Sequence, residues 1–214
     1  MKKPSLLSLI AAFACVALYA QTPDYRFGKV SAEELRMTSY DKDPDAAAVY
    51  LYEENSLFYQ IDREIGLTSD YRARIKILKS DGTDQANVSI PYTDEYSVRE
   101  SVFGIDAVAY NLVDGKIVKT PLKKQYIFTE QVGENHKLVK FSIPEVREGT
   151  VIEYKFRKTS KNPTYIPSFR FQHDIPVARC HMQALIPEFF KFNLNLKGYV
   201  KVNIDCLLYT SDAA

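Results

Sequence analysis

From Ala48 onward, short runs rich in Val, Ile, Tyr and Phe recur between turn residues: AVYLYEE, LFYQIDRE, YRARIKILKS, ANVSIPY, VFGIDAVAYNL, KIVKTPL, QYIFTEQ, KLVKFSIP, TVIEYKFRKTS, FRFQHDIP and HMQALIP. Runs of this length and spacing predict an antiparallel all-β domain. Alternation is clearest from Tyr71 to Leu78. There Tyr71, Ala73, Ile75 and Ile77 share one face, while Arg72, Arg74 and Lys76 share the other. Successive strand side chains point to opposite sides, so this stretch predicts one buried and one wet face.

Turn chemistry punctuates the runs. Asp81-Gly82 and Asp114-Gly115 are tight-turn dipeptides, and Asp114-Gly115 stands between AVAYNLV and KIVKTPL where a hairpin loop belongs. Glu148-Gly149 similarly separates KLVKFSIPEV from TVIEYKF. Many sequential hairpins without the alternating helices of a parallel sheet predict two stacked sheets, an antiparallel β-sandwich. Helical signals are confined to the N-terminal side. Ser31 and Glu34 have capping-box spacing in SAEELRM, and Asp43 to Val49 offers an Asp cap, Pro44 in the first turn and three alanines. One or two short N-terminal helices are therefore expected.

The first twenty residues follow a different pattern. Lys2 and Lys3 precede an apolar run from Leu6 to Leu18, and Ala20 stands before polar Gln21. This is the three-part layout of a secretory signal over residues 1–20, and the run is short of the roughly 20 residues that span a bilayer. Ala12 and Ala14 make Cys15 a lipidation candidate. Val16 to Tyr19 stays apolar, however, where a lipidated cysteine is followed by a polar tether, so an ordinary signal is the expectation. Export implies an oxidising periplasmic or envelope location, in which Cys180 and Cys206 are the remaining thiols. Cys206 opens CLLYTSDAA, the translation of TGTCTCTTATACACATCTGACGCTGCC, which resembles a transposon-based sequencing adapter. Residues 206–214 are therefore read as an artefact tail and 21–205 as the domain. An unpaired edge strand is expected near Phe190 to Val202.

Composition narrows the classes. With 46% hydrophobic and 13% aromatic residues the chain has enough apolar surface for a packed core. The formal charge of +1 gives no field that gathers nucleic acid or an anionic membrane.

Candidate chemistry is sparse. Cys180 and His181 supply a thiol and an imidazole, but neighbours in a strand face opposite ways, so a buried strand thiol is the expectation. His136 falls in a loop and His173 in a strand, with no zinc spacing among the three histidines. Asp41, Asp43 and Asp45 have the start of a calcium loop. Ala46 and Tyr52 stand where that loop needs Gly and Glu, which leaves helix capping. There is no G-x-S-x-G and no glycine-rich phosphate cradle. No catalytic residue, metal site or cofactor is expected. The 15 tyrosines and 12 phenylalanines exceed what a small sandwich core needs. Tyr92, Tyr96, Tyr165 and Phe169 fall near loops, where amphipathic rings serve recognition, and they form the candidate binding surface.

FGKVSAEEL from Phe27, YDKDPDAAAVYLYE from Tyr40, RARIKIL from Arg72, YNLVDGKIVKTPL from Tyr110, KFSIPEVREGTVIEYKF from Lys140 and FQHDIPVAR from Phe171 carry a resemblance. Together they resemble the transglutaminase-associated domain of unknown function, the DUF3857 family, of Bacteroidetes envelope proteins. The resemblance implies an N-terminal β-sandwich followed by a transglutaminase-like domain, whose cysteine, histidine and aspartate would lie beyond Asp205. It makes a non-catalytic scaffold or interaction domain the leading expectation, with that downstream domain as partner. A stand-alone periplasmic domain that binds glycan or peptidoglycan is the second.

Overall fold

A computed structural model describes residues 25–193, 195, 197 and 198. The expected leader, Cys15, Cys206 and the tail from residue 206 lie outside the described residues. One helix, α1 (Ala32–Arg36), precedes nine strands: β1 (Ala48–Ile61), β2 (Ile65–Ile77), β3 (Asn87–Thr93), β4 (Glu100–Val113), β5 (Lys116–Pro121), β6 (Phe128–Gln131), β7 (His136–Ser142), β8 (Val151–Ser160) and β9 (Cys180–Leu185). They form a six-stranded sheet of order β5-β4-β8-β2-β1-β9 and a three-stranded sheet of order β3-β7-β6.

The two sheets enclose the main core. Tyr50, Ala73, Ile75, Ala107, Ala109, Ile152 and Tyr154 come from the large sheet, and Ile90, Val139 and Phe141 from the small one. Fully buried Ile75 and Ile152 each contribute about 2 kcal/mol of hydrophobic stabilisation. The sandwich is therefore present but unequal, with three strands covering part of six. Asp114 and Gly115 make the β4–β5 hairpin as expected, both with positive φ (49° and 74°), as a two-residue loop of this hand demands.

Several expectations need correction. The segment from Asp43 to Val49 is no helix: Asp43 bridges back to Tyr40, residues 44 and 45 turn, and Ala48 already begins β1. Ala48 and Val49 are fully buried and lead directly into Tyr50, so packing overrides the alanines' helical preference. The runs AVYLYEE and LFYQIDRE are one continuous strand, paired along its length with β2. Asp81-Gly82 lies in a 3-10 segment, Ser80–Ala86, that carries the chain from the large sheet to the small one rather than closing a hairpin.

FRFQHDIP forms no strand. Pro163, Pro167 and Pro176 interrupt the crossing from β8, and a proline has no N–H for a ladder. The chain instead reaches the far edge of the sheet and returns as β9 parallel to β1, so the large sheet is mixed rather than purely antiparallel. Of the edge strand expected near Phe190 to Val202, residues 190–193 are not strand and residues 194, 196 and 199–202 lie outside the described residues; among the described residues the edge strand on this side is β9.

The face expected to be wet is roofed. Leu35 of α1, with Ala46, Leu51 and Leu78, packs against Val49, Tyr110 and Val151 on the outer side of the large sheet, joined by Val30, Met37 and Tyr40. Arg74 and Lys76 lie beneath this roof, 2% and 0% exposed. α1 itself is held by a complete capping box. Ser31 Oγ accepts from the Glu34 amide at 3.1 Å, and Glu34 Oε2 accepts from the Ser31 amide at 2.6 Å.

Candidate functional site

Two buried polar clusters lie on opposite faces of the large sheet. The first sits under the N-terminal roof. Glu153 on β8 is 2% exposed and accepts from Arg74 Nε at 2.8 Å, from the Tyr110 hydroxyl at 2.8 Å and from the Gly28 amide at 2.8 Å. Arg74 also reaches Glu34 Oε1 at 2.7 Å and donates to the Arg26 carbonyl at 3.0 Å. Arg74 thus ties α1, the entry segment and the sheet together. A buried charge is tolerated only when paired and hydrogen-bonded in this way. Lys76, one alternation along, has backbone partners: its Nζ donates to the Leu35 carbonyl at 2.7 Å and the Gly149 carbonyl at 2.5 Å. Burial lowers its pKa to about 8.

The second cluster lies at the β1–β9 side of the inner face and contains the groups with chemical potential. Glu53, 2% exposed, accepts from the Tyr71 hydroxyl at 2.6 Å, and its Oε2 lies 2.8 Å from His173 Nε2 and 3.4 Å from Cys180 Sγ. His173 stacks on Tyr50 with centroids 4.6 Å apart. A thiol, an imidazole and a carboxylate therefore meet. They do so around the carboxylate, with the thiol donating to Glu53. Burial, and then the neighbouring Glu53 carboxylate, push the Cys180 thiol up to about 12, whereas a nucleophilic cysteine needs its pKa lowered. Burial likewise raises the phenol of Tyr71, and Tyr50 follows for the same reason.

The residues named from sequence fall in different places. Cys180 and His181 do face opposite ways: Cys180 meets Glu53, while His181 Nδ1 lies 3.4 Å from Glu54 Oε1 on the other face. His173 is not in a strand but in the crossing segment, where it joins Glu53 and Cys180. His136 begins β7. Asp41, Asp43 and Asp45 lie in a turn in which the backbone carbonyl of Asp43 accepts from the Ala46 amide at 3.2 Å, so the expected helix cap is replaced by a backbone turn. Among the described residues, no three His, Cys, Asp or Glu side chains are arranged to hold a metal ion. No helix among them is long and apolar enough to cross a membrane.

Of the candidate binding surface, Tyr92 is half-buried against the main core and Phe169 is half-buried with its ring edge on Phe171. Tyr96 and Tyr165 stand clear at 87% and 62% exposure. The outer face of the large sheet beyond the roof holds an open depression of about 470 Å³. Its cations are already matched: Arg157 grips Asp70 at 2.5 and 2.6 Å, and Arg72 pairs with Glu54.

Sequence reasoning missed the Glu53 cluster because His173 and Cys180 lie 120 and 127 residues from Glu53. The available signal was a carboxylate inside an apolar strand run, since a buried acid requires partners.

A family profile described as a domain of unknown function with a solved structure (DUF3857) matches residues 66–205. A crystal structure of a candidate protease from Parabacteroides distasonis is similar, with a TM-score of 0.51 at 16% sequence identity. The likeness covers 67% of this chain and 29% of that one, so this chain spans under a third of that protein's length. No curated protein matches the chain.

Proposed function

Because the chain belongs to the DUF3857 family, we propose that it is a non-catalytic interaction domain at the N-terminal side of an exported envelope protein. In this reading it positions a downstream transglutaminase-like domain, or that domain's substrate, in the periplasm. The observation that carries the reading is the inward turn of the Glu53 cluster. Cys180 has the imidazole and carboxylate of a cysteine enzyme close by, yet all three groups are spent on one another and the thiol is held protonated. A nucleophile needs a base aimed at it and a low pKa, and Cys180 has neither. Chemistry performed by a longer protein is then work for another part of it, in keeping with a fold that makes up 29% of the similar crystal chain.

Two assays test this. Purified domain incubated with peptide and amide substrates is expected to release no product; turnover abolished by Cys180→Ser overturns the reading. Cys180 in the folded domain is also expected to react with iodoacetamide at pH 8 more than about tenfold slower than in the unfolded chain. Equal rates contradict a protected, protonated thiol.

A second reading rests on Tyr96 and Tyr165, whose exposed rings suit stacking on sugars. Retention on peptidoglycan or polysaccharide that falls with Tyr165→Ala supports it, and retention unchanged in that variant removes it.

A further inference from the structure

From Phe190 the sequence reads FKFNLNL, with apolar and polar residues alternating at the strand period. Residues 189–193 nevertheless form no ladder in this domain. The rings here gather into one patch: Phe190 stacks on Tyr59 at 4.8 Å and touches Phe189 at 4.9 Å and Phe192 at 5.9 Å. Phe189 is 62% exposed, Phe192 37%, Leu185 at the end of β9 40% and Ile61 at the end of β1 59%. Alongside runs β9, hydrogen-bonded to β1 on one edge and open on the other among the described residues. A contiguous aromatic patch beside an open strand edge is costly to leave in water and is an established recognition mode.

Resting on the accessory-domain reading above, we propose that this corner is the seam on which the following domain of the same chain docks, pairing with the open edge of β9 and covering Phe189 and Phe192. The occupant is chosen by connectivity. The polypeptide leaving β9 runs through the patch itself, so whatever follows is tethered there at an effective concentration on the order of millimolar, which no free partner matches without far tighter contacts. The similar crystal chain is consistent with this arrangement, since the fold occupies 29% of its length.

The test is hydrogen–deuterium exchange across residues 180–193 in the full-length gene product. Wild type is compared with Phe189→Asp and Leu185→Asp, with Tyr126→Asp, an exposed ring beside β5, as control. Docking predicts that β9 amides exchange about tenfold or more slowly in wild type and Tyr126→Asp than in either seam variant. Both seam positions are substantially exposed, so the domain itself stays folded. Equal exchange in all four proteins, with a folded following domain present, overturns the seam and leaves the accessory reading standing. A gene product with no further folded domain overturns both. A concentration-dependent dimer dissolved by Phe189→Asp overturns the proposal in favour of self-association.

Discussion

Residue by residue, the deepest dependence of this fold is on charge. Removing Glu153 takes a buried carboxylate from Arg74 under the roof and strands the Tyr110 hydroxyl and the Gly28 amide. Glu153→Ala is expected to cost about 3–5 kcal/mol by chemical denaturation, against under about 1 kcal/mol for Glu130→Ala, whose partner Lys140 is exposed. Lys76 gives the fold a pH signature. Its folded pKa of about 8 lies below the ordinary 10.5, so the unfolded chain binds more protons through that window and stability rises with pH. Wild type is expected to gain roughly 1–2 kcal/mol between pH 8 and 9.5 relative to Lys76→Met. Parallel pH profiles would contradict a Lys76 whose pKa is lowered by burial under α1. Above pH 10 the sign reverses. Burial raises Tyr71 and Tyr154 above their ordinary 10.0, and the stability that rests on protonated phenols is lost as pH climbs. The alternation that places Arg74 and Lys76 together was legible in the sequence. Their burial was not, because the residues that cover them lie some forty positions away.

At the scale of elements, strand runs and the Asp114-Gly115 hairpin were readable because period-two alternation and paired positive φ are local properties. What local patterns do not contain is which sheet a strand joins. The chain leaves the large sheet after β2, returns to it at β4, leaves again after β5 and returns at β8. Asp81-Gly82 and Glu148-Gly149, which look like hairpin turns, stand at two of these layer changes. The first change is sterically tight: a Cβ on Gly82 would meet the Ala47 carbonyl oxygen at 2.3 Å. Gly115 faces open space and is constrained by its φ of 74° alone. Gly82→Ala is therefore expected to lower the thermal midpoint well beyond Gly115→Ala, whose backbone strain is about 1 kcal/mol. The reverse order would mean that the β2–β3 crossing does not pack on the start of β1. The proline-rich crossing into β9 defeated the sequence pattern for a related reason. FRFQHDIP has strand composition, but its work is to place His173 against Glu53 and to bring the chain round to a parallel edge.

For the molecule as a whole, two buried polar clusters brace a sheet roofed on one face by the N-terminal segment and on the other by three strands. In the inner cluster the thiol and the imidazole both engage Glu53, and one patch of exposed apolar side chains lies where the chain leaves β9. The account stands most directly on what the gene encodes past Asp205. Long-read sequencing across the codons for Asp205 and Cys206, followed by the intact mass of the gene product, tests it. A reading frame that continues into a domain with its own Cys, His and Asp set is the predicted result. A stop codon directly after a genuinely encoded CLLYTSDAA would contradict it and make the chain a secreted binding protein in its own right.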